Sequence, residues 1–267
     1  MKSFCLALVL AVSALAAEST WNFRNDVIPV LTKAGCNQGA CHGALAGKGG
    51  FKLTLRGYDP EVDYDVLTRQ ATGRRITLAE PASSLLLRKA TMQIAHGGGR
   101  RFKVDSLEYK ILSEWIAAGT PPPSSTDKEV VSLEVDPPQA TLQPGTERQL
   151  LVRAKYSDGS VKDVTRWVKY NSNNEGVASV DENGRVKMTA HGEAAITLWY
   201  NSRVLYSVMT APYPNTVSAE TYAKYTRNNF IDKFVIAKLQ SLNLAPSGEI
   251  SDTVSYTHLT LPTTPYV

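Results

Sequence analysis

Only three cysteines occur in 267 residues, and one of them, Cys5, lies in an N-terminal apolar segment read as a leader. A framework of several disulfides is therefore excluded. No second Cys/His pair stands at metal spacing elsewhere in the chain, which leaves a closed zinc site without half its ligands. No Lys/Arg cluster interleaved with aromatics occurs, and a net charge of +4 is too mild to mark a nucleic-acid binder. No paired carboxylates argue for hydrolysis of a glycoside. Beyond the leader, no apolar run is long enough for a membrane-spanning helix. What remains is a composition of 43% hydrophobic and 20% charged residues, enough to build real cores over one to three domains.

Residues 1–17 read as a secretory signal. Lys2 supplies the positive start, Phe4 to Leu15 the apolar stretch, and Ala14-Leu15-Ala16 the small-x-small cleavage site. Removing Lys2 lowers the net charge from +4 to +3, and the mature chain keeps only Cys36 and Cys41. The expected location is exported, either periplasmic or extracellular.

Those two cysteines sit in Gly35-Cys36-Asn37-Gln38-Gly39-Ala40-Cys41-His42-Gly43. A histidine directly after the second cysteine is the pattern of a covalent haem c site, with two thiols joined to the porphyrin and the imidazole on the iron. The spacer is longer than the usual two residues, and Gly39 is expected to supply the bend. Three other readings stay open at this point: a local Cys36–Cys41 disulfide, part of a zinc site, or free thiols. A haem iron needs a sixth ligand or an open face. His96, followed by Gly97-Gly98-Gly99, is the favoured distal ligand, and Met92 is the alternative. No residue is assigned a catalytic role, and the chain itself is not read as an enzyme.

Short helices are expected around this loop: a segment over 26–31, another over 62–70 carrying Val62, Val66 and Leu67 inward, and one through Leu85-Leu86-Leu87 capped by Ser83 or Ser84. Phe51, Leu53 and Leu55 alternate with polar residues, as in an extended segment with one buried face. A helix over 105–119 opens on Asp105 and Glu108 as a capping box and buries Leu107, Ile111, Leu112, Trp115 and Ile116.

Residues 21–120 resemble the planctomycete-type cytochrome c domain of large secreted proteins. The resemblance is carried by Val27-Ile28-Pro29-Val30-Leu31, Cys36…Cys41-His42, Gly47-Lys48-Gly49-Gly50-Phe51, Leu55-Arg56-Gly57-Tyr58-Asp59-Pro60, His96-Gly97-Gly98-Gly99 and Trp115-Ile116. It implies an all-α cytochrome c-like domain and the longer cysteine spacing. It also implies haem c, with iron, as cofactor, held by Cys36, Cys41, His42 and His96.

A Pro/Ser-rich linker follows over 121–128. From Glu129 the apolar period changes to two, with turn signals at Pro144-Gly145, Asp158-Gly159 and Asn183-Gly184, which predicts an all-β sandwich over 129–213. This block is similar to the bacterial immunoglobulin-like group 2 module through Tyr156-Ser157-Asp158-Gly159, Val177-Ala178-Ser179-Val180-Asp181 and Gly192-Glu193-Ala194. Such a module implies a spacer or adhesion unit. Asp158, Asp163 and Asp181 read as turn and strand-end acids rather than a calcium site, and His191 has no evident partner.

A helix is expected over 225–244 with Ile231, Phe234, Val235, Leu239 and Leu242 on one face. Residues 214–253 resemble the start of a large uncharacterised domain that follows such cytochromes. The tail 254–267 looks like the translation of a sequencing adapter and is set aside. The expected architecture is thus multidomain: an all-α cytochrome c-like domain, an immunoglobulin-like sandwich, then a C-terminal helix. The expected role is an exported electron carrier whose partner is a redox protein or the chain's own following domain, with polysaccharide or cell-surface association also left open. The alternative is an extracellular adhesion or spacer protein with a Cys36–Cys41 disulfide and no haem.

Overall fold

The structure is a computed structural model that describes residues 21–225, 228–248 and Thr253. The leader at 1–17 and the tail at 254–267 lie outside the described residues.

The N-terminal part is built from short helices around one core. A five-residue π-turn, Phe23–Val27, is capped by the Asn22 side chain, which accepts from Asn25 N. It runs directly into α1 (Ile28–Lys33), whose second residue is Pro29, a position where a missing N–H costs nothing. Helix α2 (Pro60–Thr68) is capped by Asp59, α3 is Leu85–Ala90 and α4 is Leu107–Ala117. Their inward residues meet in one cluster around Phe23, Val27, Leu31, Leu67, Leu87 and Trp115. Phe23 packs on Trp115 at 5.3 Å and edge-on to Tyr64 at 5.4 Å, spacings at which aromatic pairs add to simple burial.

Several local expectations shift. Val62 and Leu55 are exposed at 46% and 52% rather than buried, whereas Val66, Leu67 and Leu53 do face the core. Segment 51–57 forms no strand: it makes a single bridge, Lys48 to Phe51, and then a 3-10 turn at Leu55–Gly57. Ser84 precedes α3 but does not cap it, because its hydroxyl accepts from Thr77 N instead. Helix α4 is capped by Ser106, whose hydroxyl accepts from Tyr109 N, and not by Asp105.

The second part is a β-sandwich of ten strands flanked by helices: β1 (Val130–Asp136), β2 (Gln139–Thr141), β3 (Glu147–Gln149), β4 (Leu151–Tyr156), β5 (Val161–Asp163), β6 (Lys169–Ser172), β7 (Ala178–Val180), β8 (Arg185–Met188), β9 (Gly192–Tyr200) and β10 (Arg203–Ala211). One sheet runs β2-β10-β9-β6; the others run β1-β4-β5 and β3-β8-β7. Strand β9 alternates buried and half-buried residues along its whole length, as a strand with one face on a core must. Asp158-Gly159 forms the tip joining β4 to β5, with Gly159 at φ +80°. Val152, Ala154, Ile196, Leu198, Tyr200 and Met209 fill the space between the sheets.

Two further helices follow, α5 (Ala219–Ala223) and α6 (Phe230–Ser241). Helix α6 begins later than expected, at the Asn229 cap, where Asp232 completes a capping box. Its buried residue is Ile236, while Ile231, Phe234 and Val235 are exposed at 53%, 65% and 43%.

The helical part and the sandwich touch. Trp167 packs against both cores. Lys33, whose ammonium burial pushes down to about 8, reaches the carbonyl oxygens of Val168, at 2.8 Å, and Glu182. The Arg56 guanidinium lies 3.9 Å from the Trp199 ring centre.

Candidate functional site

Helix α1 ends where Gly35 adopts φ +75°, and the chain turns into the cysteine loop. Leu31 O accepts from Cys36 N at 2.8 Å, so the first cysteine is tied to the helix end. Gln38 O accepts from both Cys41 N and Gly43 N, and Cys36 O accepts from His42 N, each at 2.9 Å. These three bonds close the spacer into a compact turn. Buried Asn37 anchors it through Nδ2 to Thr32 Oγ1 at 2.8 Å. Gly39 does not make the bend: its φ is not positive and a side chain there would meet nothing. Gly43 is the constrained glycine, because a Cβ would lie 2.1 Å from Asn37 O.

The loop forms one wall of a cavity of about 590 Å³, within the range of cofactor pockets. Cys36, Cys41, His42 and His96 all line it. Phe51, Leu85, Leu86 and Ala90 supply apolar walls, and Lys48, Arg74, Arg75 and Lys89 supply cations; no Asp or Glu is among the lining residues. Arg75 is committed to structure, since it donates to the carbonyls of Val66, Gln70 and Gly50.

The two histidines meet across this cavity. Their rings lie 6.2 Å apart, centre to centre, and within 10° of parallel. His42 Nδ1 donates to Phe51 O at 3.0 Å, and His96 Nδ1 donates to Gly99 O at 2.9 Å. Because a carbonyl can only accept, each ring carries a proton on Nδ1, so Nε2 is the nitrogen left to ligate when the ring is neutral. Burial pushes the His42 pKa down, with the neighbouring His96 adding to the effect against the Phe51 hydrogen bond. A neutral imidazole is the ligating form.

Cys36 and Cys41 are not bonded to each other. Burial pushes the Cys36 thiol up to about 12, with the nearby Arg101 charge opposing. A thiol held protonated is a poor thiolate ligand for zinc and a poor partner for disulfide exchange. Among the described residues no cluster of three or more His, Cys, Asp and Glu is arranged to hold a metal ion unaided.

The donor set fits a haem. Two thiols that can form thioethers and two imidazoles line the one cavity. Met92 does not fit: it is 44% exposed and does not line the cavity.

Sequence reasoning passed over the cavity's cations and Arg101. The run Gly97 to Lys103, with three cations and no acid, was the available signal. In the sandwich, Asp158, Asp163 and Asp181 each accept from backbone N–H groups of their own turns, as turn acids do. His191 does have partners: its Nδ1 donates to Pro212 O at 2.7 Å and its ring packs on Tyr213.

The class defined by the fold is a β-sandwich with helices before and after it. Residues 129–204 match the family of bacterial Ig-like domains, group 2. No curated protein matches the chain. Among solved structures, the S-layer protein rSbsC(31-844) aligns at 16% identity and TM-score 0.29, over 34% of this chain and 14% of that one. Domains 5-6 of S-layer protein SbsC align at 18% and 0.29, over 34% and 48%. An intimin mutant of EHEC O157:H7 aligns at 15% and 0.24, over 43% and 68%. The chain thus spans well under two thirds of the S-layer chains it matches, and at these scores the likeness carries no inference about activity. Among the described residues no helix is long and apolar enough to cross a membrane.

Proposed function

We propose that the Ig-like sandwich is a spacer of an exported, cell-surface or periplasmic protein, and that the helical part packed against it is a covalent haem c module that carries single electrons. The family match supports the spacer. The haem module rests on the cavity alone. The observation that carries it is the pair of Nδ1-tied imidazoles, 6.2 Å apart, in the cavity that also holds two free thiols.

In this reading Cys36 and Cys41 supply the two thiols for thioether attachment, and His42 and His96 supply one Nε2 lone pair each. Phe51, Leu85 and Leu86 give the cavity its apolar walls. Exposed Lys48 and Arg74 place positive charge beside it. When bound, haem supplies a one-electron iron couple, and two imidazole ligands favour a lower potential than an imidazole–thioether pair. The redox partner is a separate protein or a following domain of the same chain.

Haem staining of a denaturing gel tests the reading. Protein made with haem-maturation machinery is expected to keep its stain and Soret band after denaturation, and Cys36→Ser with Cys41→Ser to lose both. A colourless wild-type protein would end it.

The Ig-like match favours a second reading, a spacer or adhesion unit without haem in which Cys36 and Cys41 are oxidised to a disulfide. Intact mass separates the two. Loss of two hydrogens with no added haem supports the second, and addition of one haem the first.

A further inference from the structure

Arg101 stands between the two loops that carry the histidines. One arm, Nη1, donates to Ala34 O at 3.4 Å, at the end of α1 just before the cysteine loop. The other arm, Nη2, donates to Gly98 O in the loop after His96. Its backbone N–H is held by Ala90 O at 2.7 Å, at the end of α3, so the guanidinium starts from a rigid base. Among the described residues its buried Nε–H has no hydrogen-bond partner. Burying that Nε–H is costly in itself, which points to a role for the two arms in holding the two loops. The His96 loop closes on itself through Gly99 N to His96 O and His96 Nδ1 to Gly99 O, and its start is tied to α3 by Ile94 N to Arg88 O and by Lys89 Nζ to Ala95 O; beyond His96 the side-chain tie from the loop to the cysteine-loop side is Arg101. Gly98 leaves no slack, because a Cβ there would sit 2.9 Å from His96 Cε1 and 3.3 Å from Arg101 Nη2.

We propose that Arg101 is a positioning residue: its two-armed bridge from Ala34 O to Gly98 O sets the separation of the His42 and His96 rings. A guanidinium does this because its fork offers two donors in one plane, whereas an ammonium is a point charge. Lys at this position would keep the charge near Cys36 but not the bridge. The proposal rests on the reading that both imidazoles serve one ligand, and its test keeps the two apart.

The haem-loaded wild type is compared with Arg101→Leu, Arg101→Lys and Gly98→Ala by ferric absorption and electron paramagnetic resonance, and by the rate of azide binding. Covalent haem content and the far-ultraviolet dichroism melt are measured on the same samples. All three variants are expected to keep the attached haem but to lose the two-imidazole low-spin signature, and to bind azide at least roughly tenfold faster, the scale on which outer-shell partners act. Arg101→Lys with a wild-type spectrum and azide rate would overturn the proposal, since charge alone would then suffice. Should Arg101→Leu fail to fold, Arg101→Lys decides. If the wild type carries no haem, the haem reading fails by itself. The ring-to-ring nuclear Overhauser effect between His42 and His96 in the haem-free protein then decides this one: its loss in Arg101→Lys supports the bridge, and its persistence overturns it.

Discussion

A methyl group at position 43 would stand 2.1 Å from Asn37 O and 2.7 Å from the carbon of the same carbonyl. Nothing in the loop can yield, because Asn37 is buried and pinned from both sides, by Thr32 and by Arg56 N. Gly43→Ala is therefore expected to cost about 3 kcal/mol, at the upper end of overpacking penalties, and to abolish haem attachment, read by urea unfolding and by gel staining. Asp63 is another residue whose surroundings decide its chemistry. It is fully buried, and burial raises its pKa from 3.8 to about 6 against hydrogen bonds from Thr54 N and Oγ1. A carboxyl raised in the folded state contributes stability that is whole below 3.8 and is lost as pH rises through about 6. The loss expected across that window is on the order of 3 kcal/mol. Asp63→Asn should flatten it, as measured by urea melts at acid and neutral pH.

At the scale of elements, α4 shows what periodicity resolves and what it does not. The stripe of Ile111, Leu112, Trp115 and Ile116 was legible because 3.6 spacing places these residues on one face, and all four are buried. The cap was not legible, because Asp105 and Ser106 are both good caps and only the path of the chain chooses. Ser106→Ala is expected to cost about 1 kcal/mol and Asp105→Ala close to nothing, by thermal melts of the two variants. In α6 the apolar pattern was legible but the buried face was not: Ile236 is covered while Phe230 and Phe234 are exposed. Pattern reports that a face is apolar, and neighbours determine whether it is buried. Strand β9 was the easier case, since alternation over nine residues admits one buried face.

At the scale of the whole molecule, the helical part and the sandwich share Trp167, and Lys33 and Arg56 also reach the sandwich. The haem-module reading thus places the cavity on a spacer that does not swing freely. Trp167→Ala is expected to cost about 3 kcal/mol and to split one calorimetric transition into two, as the helical part and the sandwich lose their common packing. A single transition at unchanged temperature would show that Trp167 does not carry the coupling.

The sequence by itself determined the sandwich, the main helices, and the cysteine–histidine loop, because each rests on local spacing along the chain. Tertiary structure alone decided that His42 and His96, 54 positions apart, come within 6.2 Å, that Met92 is left outside, and that Arg101 bridges their loops. Local spacing constrains which residues share a face; only closure of the whole core brings faces from distant segments to the same cavity.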